Sequence, residues 1–448
     1  MRLKATHIVI LSFLGAIVIG TLLLKLPFAV TEGNSLSFVD SLFTATSATC
    51  VTGLIVKDTG TFFSGFGKSV IFILFQMGGL GIMTFSTLFA IAMGRKLTIR
   101  DNVVIRRALN QQKVENVASL IKYIVAITIG VELVGALLLF LRWSHTEDWG
   151  FRITLLRSIF HSVSAFCNAG FSVFKTSFIG FMADPIINTI MISLIFIGGI
   201  GFLVILDVPK FFSRGKRLTK INVQTKLALT VSLILIVAGA VLFFASESFG
   251  SMASFSLKDR FFASFFQSVT ARTAGFNTVN IGNLLSPTLF VLIFLMFIGA
   301  SPGSTGGGIK TCTFGVLFAS VVAMFQNKDK VSVFKASIPK EVVRKAIVVF
   351  FLALSWIFIG SLILSFIEES HLGHLNNYFM RIFFEVTSAF GTVGLSTGIT
   401  PQLCNLGKLL ITITMFVGRI GPLTAVLAIA LQRDKVIYAY PEERIMVG

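Results

Sequence analysis

Long apolar runs alternate with short polar links along this chain, and the alternation repeats four times. Each unit reads as a long apolar helix, a short segment of about ten residues, a polar loop bearing a glycine, and a second apolar helix. The predicted boundaries are 8–28, 38–48, 49–54 and 68–93 in the first unit, then 119–142, 153–165, 166–171 and 185–206 in the second. The third reads 222–245, 259–271, 272–276 and 287–325, and the fourth 341–367, 378–389, 390–395 and 405–432. The loop glycines Gly53, Gly170, Gly275 and Gly394 lie roughly 105 to 120 residues apart, too far for a solenoid period and suited to two membrane crossings plus a re-entrant loop.

The short segments, beginning near Asp40, Arg157, Arg260 and Arg381, are too brief to cross a membrane, which takes about 20 residues. Half-helices at membrane depth are tolerated where protein or a wet cavity surrounds them. The expected fold is therefore an all-α integral membrane protein with eight crossing helices and four re-entrant pore helices around one pseudo-four-fold pore. The repeats are taken as 1–95, 96–215, 216–330 and 331–448, the third carrying an intramembrane interruption at 299–311 and the fourth a short tail.

Composition agrees with this reading. Hydrophobic residues make up 54% of the 448 positions and charged residues 13%, well below the roughly 25–35% a soluble surface needs. The net charge of +18 is spread over links rather than gathered on one basic face, which argues against nucleic acid. Basic residues crowd 94–122, 207–226 and 328–345, whereas the alternate links mix Glu32, Asp58, Glu147, Asp148, Asp184, Glu247, Glu368 and Glu369 with fewer cations. That bias places both termini in the cytoplasm. The apolar run from Ile8 lacks a signal-peptidase site and is kept as the first crossing helix. Cys50, Cys167, Cys312 and Cys404 show no CxxC spacing and are read as small buried residues.

The loops carry the chemistry. A dehydrated cation needs a ring of oxygens in place of its water, and backbone carbonyls supply one where the chain turns inward. Glycine permits the required φ angles, and pore helices ending at the loops direct their negative dipole ends at the ion. Thr392-Val393-Gly394 resembles the start of the potassium-channel filter TVGYG; Val51-Thr52-Gly53, Asn168-Ala169-Gly170 and Thr273-Ala274-Gly275 are looser versions. No carboxylate ring stands there, which disfavours a divalent-cation filter. Ser47, Ser164 and Ser388 each precede their glycine by six positions while Thr270 precedes Gly275 by five, so the third unit has lost one residue.

One feature is read as unique to the third unit. As an unbroken helix, 287–325 would rise about 58 Å at 1.5 Å per residue, nearly twice the hydrocarbon core of roughly 30 Å. The interruption Gly299 to Thr311 absorbs the excess. Its Gly303, Ser304, Thr305, Gly306, Gly307 and Gly308, with Lys310, can obstruct a wet cavity and move aside, which is the behaviour of a gate. The same stretch satisfies G-x-x-x-x-G, yet Ile309 stands at the P-loop lysine position and no strand precedes it.

Charges inside apolar runs are functional candidates because each is costly in lipid. Arg419, without a local acid, is expected to hold the gate loop through its carbonyls or to tie helices together. Glu132, His161, Arg272 and Glu385 are expected to be packed pairs that brace the filters, in preference to the alternative of direct ion contact. For Lys310, a positive plug and a side chain snorkelling to the cytoplasm remain equal readings.

Taken together, the four single-glycine loops, the glycine-rich interruption and Arg419 resemble the Trk/Ktr/HKT superfamily of potassium transporters over essentially the whole chain, most nearly the bacterial Ktr membrane subunit. The resemblance implies potassium preference, because sodium-passing members can carry serine where Gly53 stands. It implies that Arg419 lies beneath the filter against the gate loop. It further implies a homodimer with one pore per protomer, seated on a cytoplasmic ring of nucleotide-binding, RCK-type regulatory subunits. The chain has no Rossmann fingerprint, so ATP or ADP would act only through that partner. The expected function is selective potassium uptake across a bacterial plasma membrane, with sodium as an activator left open and no cofactor in this chain. A sodium-selective or Na⁺/K⁺-symporting member is the alternative. A membrane enzyme is disfavoured by the absence of H-E-x-x-H and G-x-S-x-G, and a mere scaffold by the costly half-helices.

Overall fold

A computed structural model describes residues 5–81, 117–213 and 221–422. Arg2 and Lys4, the basic link as far as residue 116, residues 214–220, the extension of the last helix to 432 and the tail Pro441 to Arg444 lie outside the described residues.

The described chain is mostly helical, and its helices follow one another in four similar groups. The first holds α1 (Ala5–Lys25), α2 (Phe38–Thr49) and α3 (Gly65–Leu80). The second holds α4 (Val117–Thr146), α5 (Phe151–Phe166), α6 (Pro185–Ile200) and α7 (Phe202–Ser213). The third holds α8 (Val223–Glu247), α9 (Leu257–Thr270), α10 (Ser286–Phe297) and α11 (Thr311–Phe325). The fourth holds α12 (Lys340–Leu372), α13 (Tyr378–Gly391) and α14 (Asn405–Ile420). A two-stranded hairpin, β1 (Ser332–Val333) with β2 (Ala336–Ser337), links the third group to the fourth.

The opening helices of the groups are the long apolar ones. His7–Lys25, Ile121–Thr146, Val223–Glu247 and Lys340–Leu372 are each long and apolar enough to cross a membrane, and only 28–39% of their apolar windows is buried. A helix apolar on its outer faces belongs in lipid. The short helices α2, α5, α9 and α13 are the reverse: their C-terminal halves, from Thr44, His161, Phe266 and Phe384 onward, are buried in the middle of the molecule.

The closing helices correct the sequence reading. The runs 68–93, 185–206 and 405–432 were expected to be unbroken, with an interruption unique to the third unit. Instead α3, α6 and α14 stop at Gly81, Gly201 and Gly421, whose φ values of +82°, +97° and +93° an α-helix cannot contain. At 16 residues each, these segments rise only about 24 Å. In the second group α7 continues after one residue, whereas the third group inserts residues 298–310 between α10 and α11.

Two further expectations change. Glu247 and Glu368, counted among the acids of the alternate links, are fully buried. Glu247 accepts hydrogen bonds from Leu285 N at 2.9 Å and Thr288 Oγ1 at 2.5 Å, and Glu368 accepts from Cys404 N at 2.9 Å. Each carboxylate therefore serves the N-terminal end of the closing helix of its own group, where backbone N–H groups lack partners. Of the cysteines, Cys50 and Cys167 are buried as expected, but Cys312 and Cys404 are half-buried; all four are free thiols.

Candidate functional site

The four loops meet in a closed ring. A Cβ placed on Gly53 would lie 2.5 Å from the Ala169 carbonyl oxygen, and one on Gly170 would lie 3.0 Å from that of Ala274. The same construction on Gly275 collides with the Val393 carbonyl, and on Gly394 with that of Thr52, which returns to the first loop. No residue larger than glycine fits this ring without moving a neighbour's backbone. The glycines have φ of +90°, +69°, +79° and +92°.

Two positions earlier, Val51, Asn168, Thr273 and Thr392 also have positive φ, at 57°, 57°, 74° and 50°. Positive φ is an outlier for the β-branched members of this set and marks strain maintained by the surroundings. Thr52, Ala169, Ala274 and Val393, between each pair, are absent from the left-handed region. Alternating backbone hand turns successive peptide groups to one side, the arrangement by which carbonyls can line an ion path.

Each loop is held from behind by a hydroxyl of its own short helix. Ser47 Oγ donates to Leu54 O at 2.7 Å and accepts from Gly53 N at 3.1 Å. Ser164 Oγ donates to Phe171 O at 2.8 Å, Thr270 Oγ1 to Phe276 O at 2.7 Å, and Ser388 Oγ accepts from Gly394 N at 3.1 Å. In the sequence these residues mark the register of the loops. Their recurrence before every glycine was the signal of a role, and Thr270 keeps it despite the missing residue.

Below the ring lies the interruption of the third group. Cβ atoms on Gly306 and Gly307 would strike Thr273 Oγ1 and Thr392 Oγ1, so these two glycines press against the lower edge of the ring. Gly307 N donates to Thr392 Oγ1 at 3.0 Å. Gly303 and Ser304 lie to the side: Gly303 O accepts from Phe202 N at 2.9 Å, and Ser304 Oγ donates to Ser301 O at 2.6 Å. Thr305 Oγ1 donates to Gly198 O at 3.2 Å, and Gly308, with φ of +66°, closes against Gly299 and Gly391. Lys310 Nζ donates to Gly306 O at 2.6 Å, curling back on its own loop.

Arg419 bridges three groups. From α14 its Nη1 donates to Thr305 O in the interruption and its Nη2 to Gly78 O in α3. Of the two sequence readings, a hold on the loop and a tie between helices, both describe this one guanidinium.

Glu132, Arg272, His161 and Glu385 find neutral partners rather than one another. Glu132 accepts from Gln76 Nε2 at 3.1 Å on both oxygens, and Gln76 Oε1 accepts from Cys167 Sγ at 3.1 Å. Arg272 donates to Ser232 O at 3.2 Å and Ser232 Oγ at 3.0 Å. His161 contacts Arg157 O at 2.8 Å through Nδ1 and Ser172 Oγ at 3.0 Å through Nε2. Glu385 accepts from Ser396, Thr397 and Thr400. Gln76 and Ser232 carry no signal of this role in the sequence, because they lie far from their partners along the chain.

Comparison with known proteins adds to this geometry. A family described as TrkH, cation transport protein, matches residues 3–438. The chain is 39% identical to the Ktr system potassium uptake protein B of Bacillus subtilis, over 100% of this chain and 98% of the relative. It is 37% identical to the protein of that name in Vibrio alginolyticus, over 99% of this chain and 94% of the relative. To the potassium/sodium uptake protein NtpJ of Enterococcus hirae it is 36% identical, over 100% and 98%. The crystal structure of the potassium transporter TrkH from Vibrio parahaemolyticus superposes with a TM-score of 0.72 at 20% identity, covering 95% of this chain and 85% of that one, a likeness of fold.

Proposed function

The chain belongs to the TrkH family of cation transport proteins, and on that premise we propose that it takes potassium up across the plasma membrane through its ring of four glycine loops. It is a membrane transporter and not an enzyme. The observation that carries the proposal is the ring itself: four glycines in mutual backbone contact, each following a left-handed residue, at the centre of a helical membrane protein. Carbonyls of Val51, Thr52, Asn168, Ala169, Thr273, Ala274, Thr392 and Val393, with those of the glycines, would replace the water of a potassium ion. Potassium is the cargo, bound by backbone oxygens alone.

Passage is controlled, in this reading, by the loop 303–308. It presses on Thr273 and Thr392 directly beneath the ring, and Lys310 and Arg419 hold its carbonyls. Inward flow follows the electrochemical gradient, with both termini in the cytoplasm. Two relatives are named as parts of a Ktr system, which supports a partner component; in this reading the chain is a homodimer and that partner is a cytoplasmic, nucleotide-binding RCK-type ring. A second reading has support of its own: the Enterococcus hirae relative is named for potassium and sodium together, which favours sodium as activator or co-transported ion.

Tracer rubidium uptake into liposomes holding the full chain, with potassium and sodium as competitors, tests both readings. Potassium blocking uptake far better than sodium supports a selective potassium path, and equal block supports the sodium reading. Gly53→Ser introduces a side chain where only 2.5 Å separates the Cβ position from Ala169 O. It should lower the potassium-over-sodium ratio by about tenfold, the size of one poorly made oxygen contact in a ring of this kind. An unchanged ratio would count against the ring as the ion path.

A further inference from the structure

The four short helices carry a second recurring position, three residues before each stapling hydroxyl: Thr44, His161, Gln267 and Glu385. All four are buried. Their chemistry differs, and so does what they hold. Thr44 Oγ1 donates to Asp40 O at 2.8 Å, inside its own helix, and does not reach the segment beyond Gly53. His161 Nε2 reaches that segment in the second group, meeting Ser172 Oγ at 3.0 Å and Val173 N at 3.3 Å. In the third group Gln267 Nε2 makes one long bond, 3.3 Å, to Thr278 Oγ1, and its carbonyl oxygen has no partner.

Glu385 is in a different class. Its Oε1 accepts from Ser396 Oγ at 2.6 Å, Thr397 N at 2.8 Å and Thr397 Oγ1 at 3.2 Å, and its Oε2 accepts from Thr400 Oγ1 at 2.7 Å. Four donors converge on the carboxylate, which satisfies an acceptor-only group. One turn earlier Arg381 ties the same segment to the third group, donating to Thr397 O at 3.2 Å and Gly282 O at 3.1 Å. The chain leaving Gly394 is thus anchored by a charged group, while the chain leaving Gly53 receives nothing from the matching position.

We propose that Glu385 is a positioning residue for ion discrimination, holding the exit of the fourth loop so that its carbonyls cannot close around an ion smaller than potassium. The inference rests on the reading of the ring as the potassium path. A filter that discriminates by the spacing of its carbonyls must resist contraction, and resistance comes from what stands behind the backbone. At this position the exit of the fourth loop is therefore the most firmly held of the four and that of the first the least. The carboxylate acts through Ser396, Thr397 and Thr400 and touches no ion.

The test uses the full chain in liposomes and reads the ratio of potassium to sodium concentrations that halve rubidium uptake. Glu385→Gln keeps the shape but presents an amide nitrogen to hydroxyl and N–H donors. It should lower the preference for potassium about fivefold, the equivalent of one net hydrogen bond, with Glu385→Asp retaining part of it. Thr400→Val should lower it about twofold, and Thr44→Val should leave it unchanged. A Glu385→Gln protein that takes up rubidium with the wild-type ratio overturns the proposal. If that variant does not assemble, Ser396→Ala combined with Thr400→Val decides: a reduced ratio supports the anchor and an unchanged one overturns it. A wild-type chain without preference for potassium would instead overturn the reading of the ring.

Discussion

The closing helices of the second and third groups start from the same plan and end differently. In the second, α6 gives way to α7 across Gly201 alone; in the third, α10 and α11 are separated by residues 298–310. A one-residue break strips helix carbonyls of their partners. The longer break answers that need, because Ser301 N donates to Gly199 O at 3.0 Å, Thr305 N and Oγ1 to Gly198 O, and Phe202 N to Gly303 O. The break in the first group is met in another way, by Arg419 donating to Gly78 O. The interruption is thus built from the same deficit that the other groups carry, and extended until it reaches under the ring.

The largest expected effect comes from removing the part that makes the third group different. Deletion of residues 303–308 should raise rubidium uptake into liposomes at least about tenfold in the absence of any partner, a modest shift for a two-state gate. Unchanged flux would end the gate reading and leave the loop as a structural plug for the break in the second group. Next in size, alanine at the two glycines facing each other separates fixed from movable parts. Gly201 has φ of +97°, and its Cβ would lie 2.6 Å from Pro302 O, whereas Gly303, at +70°, meets nothing nearer than Leu203 Cδ1 at 3.6 Å. Gly201→Ala should cost about 3 kcal/mol and Gly303→Ala about 1 kcal/mol. Thermal unfolding of the purified variants in detergent would show the order, and equal losses would mean that the two breaks are equally yielding. The smallest effect is that of Thr392→Val, which removes the acceptor of Gly307 N at 3.0 Å. Partner-free flux should rise about fivefold while Thr392→Ser stays near wild type, and matched fluxes would show that this bond does not hold the loop.

Much of this was legible along the chain. The long lipid-facing helices announced themselves by apolar length, and the short helices by being too brief to cross. Thr392-Val393-Gly394 and its three looser counterparts pointed to the loops. The breaks at Gly81, Gly201 and Gly421 were missed although Gly78-Gly79-Leu80-Gly81, Gly198-Gly199-Ile200-Gly201 and Gly418-Arg419-Ile420-Gly421 share a pattern. A single glycine costs a helix only about 1 kcal/mol and by itself does not end one. What the first glycine of each pattern answers is close contact: a Cβ at Gly78, Gly198 or Gly418 would collide with the carbonyl of Thr49, Phe166 or Phe390 at the end of the short helix. Glu247 and Glu368 were misplaced for a related reason, since charge at the end of an apolar run looks the same whether it faces water or caps a distant helix.

Sequence alone determined the membrane class, the order of long and short helices and the positions of the loops, because these follow from local hydrophobicity, length and backbone freedom. Only the tertiary structure decided that the four glycines close one ring, that Gly306 and Gly307 lie beneath it, and that Arg419 spans from α14 to Thr305 and Gly78. The ring contacts and those of Arg419 join residues separated by a hundred positions or more and end on backbone carbonyls, which every residue possesses, while Gly306 and Gly307 meet threonine hydroxyls nearer along the chain. A carbonyl becomes a distinctive partner when folding leaves it unpaired at one place in space, and nothing in the order of side chains records where that will be.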